Sequence, residues 1–206
     1  MSTKKPLAAL ITAAGMSTRM HDFKQTMKLG DKTFIEHIVN RFIDAEVDLI
    51  VVVAGYRAEE VRQVLKTYPV IILENPDYET TQMFDTVRIG LSYLNEKCER
   101  VFLTPVDIPL FTIETLRALK TSEAKVAIPV CEGETGHPVL IDSTAFDAIL
   151  KHSGENGLRG AFQLLEEDTM LVNVHDRGSL IDADTQEDYQ LVREMYENKI
   201  HEGERQ

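Results

Sequence analysis

Only two of the 206 residues are cysteine, Cys98 and Cys131, and neither sits in a CxxC pair or a cluster with histidine. That spacing supports neither a disulfide framework nor a cysteine-based zinc site, and reduced thiols in a cytoplasmic protein are the expected state. No apolar run reaches the roughly 20 residues that span a bilayer, so no membrane is expected. Lys4 and Lys5 precede an apolar run that passes Thr12 into charged sequence without a cleavage signature, so no signal peptide is expected. Positive charge is in deficit: 22 Lys and Arg face 34 Asp and Glu, for a formal charge of −12. A chain of that sign is a poor partner for nucleic acid. The Gly-Lys-Ser/Thr phosphate loop and the GxGxxG run are both absent. So are internal repeats, low-complexity segments and long linkers.

What is present is a packed core in alternating segments. Hydrophobic residues make up 43% of the chain, well above the disordered class. Short apolar runs at 7–13, 49–54, 70–73, 101–104, 126–128, 139–141 and 170–174 read as strands. Most lack alternation, as expected for strands covered on both faces. Between them Phe34, Ile35, Ile38, Val39, Phe42 and Ile43 recur at helical spacing. So do Val61, Val64 and Leu65, then Val87, Leu91 and Leu94, then Ile113, Leu116 and Leu119. Thr33 with Glu36 forms a capping box, and Thr112 with Thr115 a weaker cap. Later helical patterns cover 145–150 and 158–167. Repeated β–α units predict an α/β fold with a doubly wound, mostly parallel sheet in three layers, α/β/α. Residues 1–201 are expected to form one domain, nucleotide-binding in its first half and acceptor-binding in its second. Residues 202–206 are expected to be a frayed tail.

The segment 10–24, LITAAGMSTRMHDFK, carries the most chemistry. An apolar run stops at Thr12, and Ala13, Ala14, Gly15 and Ser17 follow, with the cations Arg19 and Lys24 beyond. A buried strand opening into small residues lets backbone N–H groups approach a phosphate, and nearby cations neutralise a triphosphate. An ordinary strand-to-loop turn with solvated cations is the other reading. The charge distribution favours a small anion: residues 1–32 carry six Lys and Arg against Asp22 and Asp31 in an otherwise acidic chain. Ligands in doubly wound sheets sit at the carboxyl ends of strands. The loops after Ala13, after Leu73 (with Asn75) and after Thr104 therefore share one edge.

Carboxylates follow at two places. Asp107, in TPVDIPLF, ends an apolar strand between Pro105 and Pro109. It suits a Mg²⁺ ligand, because such sites use one or two carboxylates plus substrate phosphates. It equally suits a cap on the helix beginning near Thr112 or a turn with Pro109. In LIDADTQEDY, Asp182 and Asp184 alternate, so an extended segment points both the same way. Either would reach the same metal, or Asp184 or Thr185 would cap the next helix. His137, in GETGHPVL, contacts a substrate or is a turn residue held by Pro138.

Taken together these segments resemble the MobA-like nucleotidyltransferases, and most closely the molybdenum cofactor cytidylyltransferases. The likeness runs from about Leu7 to Tyr189. It rests on Thr12–Met20 with Lys24, Asp107–Pro109, Gly136–Pro138, Gly154–Arg159, and Asp182–Asp188 with Gln186 where the family has Pro. The resemblance implies a Rossmann-like nucleotidyltransferase fold that moves CMP from CTP to the terminal phosphate of molybdopterin and releases pyrophosphate. Ala13-Ala14-Gly15, rather than a Gly-Gly, implies CTP. Thr12 to Gly15, Ser17, Arg19, Lys24, Asn75 and Asp107 would bind the nucleotide. Arg19, Lys24 and Asp107 would be catalytic, and His137 and Arg159 would meet the acceptor. Mg²⁺, with Mn²⁺ as a substitute, would sit on Asp107 and Asp184, with Asp182 as the alternative. A molybdoenzyme or its maturation factor would be the recipient. Two other readings share the pattern: transfer to a sugar or alditol phosphate, and a cofactor-binding chaperone without catalysis. Asp85 departs from the family, and is expected to put a negative charge in the nucleotide pocket where a small hydroxyl is usual.

Overall fold

The computed structural model describes residues 5–16 and 23–203. From the N-terminus, β1 (Leu7–Ala13) leads to a short ribbon, β2 (Lys28–Leu29) and β3 (Lys32–Thr33), and then to α1 (Phe34–Asp44). Next come β4 (Leu49–Ala54), α2 (Ala58–Leu65), β5 (Val70–Glu74), α3 (Met83–Leu94), β6 (Arg100–Pro105) and α4 (Ile113–Lys120). The second half contains β7 (Val126–Cys131), β8 (Glu134–Thr135), β9 (Val139–Asp142), α5 (Phe146–Lys151), α6 (Gly157–Gln163), β10 (Thr169–Asn173) and α7 (Gln186–Gly203).

Seven strands form one path in the order β10-β7-β9-β6-β1-β4-β5, and β8 pairs with β7 as the eighth strand of that sheet. Within that sheet, among the described residues, only the pairs that β9 makes with β6 and β7, and the β7–β8 pair, are antiparallel. The sheet is mostly parallel, as the β–α alternation predicts. β1 lies between β4 and β6, parallel to both. The chain builds outward from β1 through β4 to β5, then returns to the other side at β6. That reversal opens a crevice at the carboxyl ends of β1 and β6.

Both faces of β1 are buried, which is why its sequence does not alternate. Ala9, Ile11 and Ala13 face one layer with Ile35, Ile38 and Phe42 of α1, Val61 and Leu65 of α2, and Leu116 and Leu119 of α4. Ala8 and Leu10 face the other layer with Phe84, Val87 and Leu91 of α3 and Phe146 and Ile149 of α5. The Phe42 ring packs on Phe102 and Phe111 at 5.9 and 5.4 Å between centroids. Burying each such side chain contributes on the order of 1.5–3 kcal/mol. A third cluster seats α7, with Val192 and Ala183 against Leu29, Phe34 and Leu110.

Three expectations need correction. The edge strands are not covered on both faces: β5 is half-buried, and Met170 and Leu171 of β10 are exposed. The helix expected over 158–167 stops at Gln163, and Glu166–Asp168 form a separate 3₁₀ turn. Leu164 between them is exposed, so the apolar pattern there reflects no single buried face. The tail expected from 202 lies partly within α7, which runs to Gly203, and residues 204–206 lie outside the described residues. Among the described residues no helix is long and apolar enough to cross a membrane.

Candidate active site

Three strand ends meet at the crevice, and backbone hydrogen bonds tie their loops together. Val106 donates to the Thr12 carbonyl at 3.1 Å, Tyr56 to the Ala14 carbonyl at 3.3 Å, and Asn75 to the Ala54 carbonyl at 2.8 Å. Gly55 permits the second of these. A Cβ there would lie 2.8 Å from the Ala14 carbonyl oxygen and 2.7 Å from the Tyr78 Cβ.

A cavity of about 240 Å³ lies at this junction. Thr12, Ala14, Gly15, Lys24, Asn75, Asp107 and Asp184, all candidates from the sequence, line it. Ala13 does not line it; its side chain is in the core and only its carbonyl bears on the loop. Ser17 and Arg19 lie outside the described residues. Asp182 is exposed and does not line the cavity. Of Asp184 and its alternative Asp182, Asp184 is the one that lines the cavity.

Lys24 opens a 3₁₀ turn (Lys24–Thr26) that follows Phe23, a buried ring set edge-on against Tyr56 at 5.8 Å. The turn directs the Lys24 ammonium between two carboxylates. Nζ lies 3.5 Å from an Asp107 oxygen and in short contact with Asp184. Lys24 is 8% exposed, and the two carboxylates 24% and 27%. Burial pushes the Asp107 carboxyl above its usual range, Lys24 pulls it back, and Asp184 and Asp182 raise it further. Asp182 is also raised, by burial first and then by Asp184.

The caps of the neighbouring helices come from other residues. Thr185, not Asp184, caps α7: its hydroxyl accepts from Asp188 N, and its own N–H and hydroxyl donate to the Asp188 carboxylate at 2.8 Å. The start of α4 is held by Asp176 rather than Asp107. One Asp176 oxygen accepts from Thr112 N at 2.6 Å, Thr112 Oγ1 at 2.9 Å and Thr115 Oγ1 at 2.7 Å. Asp107 and Asp184 are thus both directed at the cavity. Two hard oxygen donors around an ammonium fit a Mg²⁺ or Mn²⁺ ion. Among the described residues no group of three or more His, Cys, Asp or Glu is arranged to hold a metal ion. Further ligands would have to come from a phosphate or water.

Gln25 belongs to no motif visible in the sequence. It is almost fully buried, and its Nε2 donates at 3.0 Å to the carbonyls of Ala13 and Gly15. It therefore sets the shape of the loop beneath the cavity. Asn75 is also an organiser: its amide donates to Thr81 Oγ1 at 2.9 Å and Thr86 Oγ1 at 3.2 Å, holding the loop before α3. Asp85 does not line the cavity that holds Lys24 and Asp107, contrary to expectation. As the third residue of α3 it accepts from Gln82 N at 3.0 Å and pairs with Arg88 at 3.5 Å.

A second cavity of about 1070 Å³ adjoins the first and shares Thr12, Gln82, Met83 and Pro105 with it. Its wall is largely apolar, with Phe84, Ile128, Leu158, Phe162 and Leu171, and it includes both acceptor candidates, His137 and Arg159. His137 is fixed from its backbone, which donates to the Ser179 carbonyl at 2.8 Å, and its Nδ1 lies 3.4 Å from the Leu103 carbonyl. Gly136 allows this approach, since a Cβ there would sit 2.4 Å from the Ser179 oxygen. Burial pushes the His137 imidazole below its usual value, which favours the neutral ring. Arg159 is exposed on α6 and supplies positive charge.

Residues 9–170 match the family of the MobA-like NTP transferase domain. The chain belongs to that family. It therefore carries a nucleotidyltransferase domain, with the strand-end crevice as its candidate centre. Bifunctional protein GlmU of Bifidobacterium adolescentis is 30% identical over 159 residues, covering 74% of this chain and 34% of that protein. The chain thus spans about a third or less of the curated relatives it matches. Among solved structures, the nucleotidyl transferase Mth528 of Methanothermobacter thermautotroptrophicus superposes with a TM-score of 0.81 at 23% identity. That match covers 94% of this chain and 99% of the other. A manganese complex of Rv0371c from Mycobacterium tuberculosis H37Rv superposes at 0.72 with 19% identity, covering 92% and 98%. At these identities the structural likenesses establish the fold.

Proposed function

We propose that this enzyme transfers CMP from CTP to the terminal phosphate of molybdopterin. The observation that carries the reading is the pairing of the two cavities. A small one holding the charged groups of Lys24, Asp107 and Asp184 adjoins a larger, mostly apolar one with Arg159 at its edge. A triphosphate suits the first. A bulky, flat heterocycle bearing a phosphate suits the second better than a small sugar phosphate, which would leave apolar wall uncovered. The choice of CTP rests on the resemblance of Ala13-Ala14-Gly15 to the cytidylyltransferases.

In the reaction, an oxygen of the acceptor phosphate attacks the α-phosphorus of CTP. The bond from that phosphorus to the bridging oxygen breaks, and pyrophosphate leaves. The nucleophile is already anionic, so the protein's work is alignment and charge neutralisation. Lys24 would neutralise the α-phosphate. Backbone N–H groups of Ala14 to Met16 would cradle the triphosphate, and Arg19 would meet the leaving pyrophosphate. Asp107 and Asp184 would hold Mg²⁺ or Mn²⁺, which supplies Lewis-acid charge neutralisation to the phosphate oxygens. Arg159 would hold the acceptor phosphate, while neutral His137 would contact its ring.

The test is pyrophosphate release with each of CTP, GTP, ATP and UTP against molybdopterin and against a panel of sugar and alditol phosphates, with and without Mg²⁺. Release confined to CTP with molybdopterin supports the proposal. Turnover only with a sugar or alditol phosphate replaces the acceptor, and preference for another nucleotide replaces the donor. Tight pterin binding without turnover of any nucleotide favours the chaperone reading.

A further inference from the structure

The Lys24 ammonium stands where a divalent ion on Asp107 and Asp184 would need to be. It lies 3.5 Å from Asp107 and in short contact with Asp184, on a side chain that is itself almost fully buried. We infer that Lys24 is an exchangeable counter-charge that keeps the divalent ion off Asp107 and Asp184 until a nucleotide draws the ammonium onto its phosphates. The inference rests on the nucleotidyltransferase reading of this site.

Three observations converge on it. First, two sheltered carboxylates facing one cavity need a positive charge between them when no ligand is bound, and Lys24 provides it. An ammonium and a dication sharing the same two carboxylates would repel strongly in so sheltered a space. One must leave for the other to enter. Second, Lys24 has somewhere to go. It lines the cavity beside Ala14 and Gly15, whose N–H groups would receive the triphosphate. The turn that carries it is anchored separately, by buried Phe23 and by the Gln25 amide on Ala13 and Gly15. Side-chain rotation alone moves the charge, with the backbone held. Third, no group of three or more His, Cys, Asp or Glu is arranged around a metal position among the described residues. Nucleotide arrival would supply phosphate oxygens to the ion and an anionic partner to Lys24 in a single event. Metal and nucleotide then bind with positive coupling, and the coupling is reciprocal.

The experiment is Mn²⁺ binding followed by electron paramagnetic resonance, with and without the α,β-methylene analogue of CTP or of GTP. It uses the wild type, Lys24→Met, Lys24→Gln and Asp107→Asn, each checked for fold by circular dichroism and melting temperature. In the wild type one of the analogues should tighten Mn²⁺ binding by roughly tenfold or more. Lys24→Met or Lys24→Gln should bind Mn²⁺ without nucleotide roughly tenfold more tightly than the wild type, and the analogue should then add little. Two results overturn the exchange while leaving the metal site standing: wild-type Mn²⁺ affinity unchanged by both analogues, or folded Lys24 variants that bind Mn²⁺ no more tightly than the wild type. Undiminished Mn²⁺ binding by Asp107→Asn with the analogue overturns the two-carboxylate site itself, and the exchange with it.

Discussion

The backbone N–H of Ala183 donates to the carbonyl oxygen of Asp107 across 3.0 Å. This bond sets the register of the segment before α7 against the loop after β6. With Ala183 buried and pinned, Asp184 falls on the Lys24 ammonium and Asp182 falls on the exposed side. The two aspartates are therefore expected to differ sharply. Asp184→Asn should lower kcat/KM by about a hundredfold or more, because several kcal/mol of charge stabilisation at the phosphates is lost. Asp182→Asn should stay within a fewfold of the wild type. Steady-state pyrophosphate release measures both, and the reverse ranking would move the metal to Asp182.

Much of this architecture can be read in the sequence, and what cannot has identifiable causes. The central strands β1 and β4 are continuous apolar runs because both faces are covered, and their bounds follow from the residues alone. The Thr33–Glu36 capping box is visible because both partners lie within four residues; in the fold Thr33 N donates to Glu36 at 2.8 Å. Gln25 and Asp176 are hidden because their partners are backbone groups and threonines 10 to 64 residues away. Polar residue type says nothing about such distant pairing. Asp85 misleads for the opposite reason: its partners, Gln82 N and Arg88, lie three residues away on either side, and a family pattern diverts attention from the local cap. Asp85→Ala should therefore cost about 1 kcal/mol of stability through the lost cap and leave nucleotide affinity unchanged. A large gain in affinity would return its charge to the nucleotide cavity.

Gln25 offers a test of how far loop shape controls the centre. Its amide satisfies two carbonyls that have little access to water. Gln25→Ala removes both bonds and should lower the unfolding free energy by about 1–3 kcal/mol. Gln25→Glu sets a carboxylate oxygen against the same two carbonyls and should be the worse of the two. Urea denaturation gives the stabilities, and nucleotide titration gives the second readout. Both variants should bind CTP more weakly, since the N–H groups of Ala14 to Met16 lose their fixed arrangement. Unchanged CTP affinity in folded Gln25→Ala would confine Gln25 to stability.

Cys98 links the core to alkaline stability. Its side chain is fully buried against α3, and burial pushes the thiol up to about 11 from an ordinary value of 9.0. Asp142 adds to the rise and Lys5 opposes it. The folded value lies above the unfolded one. The protonated thiol therefore supports the fold fully below about pH 9, and that support is withdrawn as pH rises through 11. The whole gap corresponds to about 3 kcal/mol. Denaturation midpoints measured from pH 8 to 11 should fall, and Cys98→Ala should flatten the decline even though it starts from a lower midpoint. A slope unaffected by Cys98→Ala would assign alkaline unfolding to other groups. Thiol reagents at pH 8 should leave Cys98 unmodified until the chain unfolds.

The two cavities should separate in steady-state kinetics through Lys24 and Arg159. Lys24 touches only the smaller cavity and Arg159 only the larger one. His137 shares the larger cavity, and its burial disfavours the charged imidazole there. On the proposed function, Arg159 is the residue expected to recognise the acceptor phosphate electrostatically. A charge-assisted hydrogen bond is worth about 1.5–3 kcal/mol, which converts to roughly ten- to a hundredfold in affinity. Arg159→Ala should raise the acceptor KM by that factor and leave the KM for CTP unchanged, with partial recovery in Arg159→Lys. Lys24→Ala should act chiefly on kcat, because its charge serves the reacting phosphate. Acceptor KM unmoved by Arg159→Ala would take the acceptor out of the larger cavity. A parallel rise in the KM for CTP would show the nucleotide extending into it.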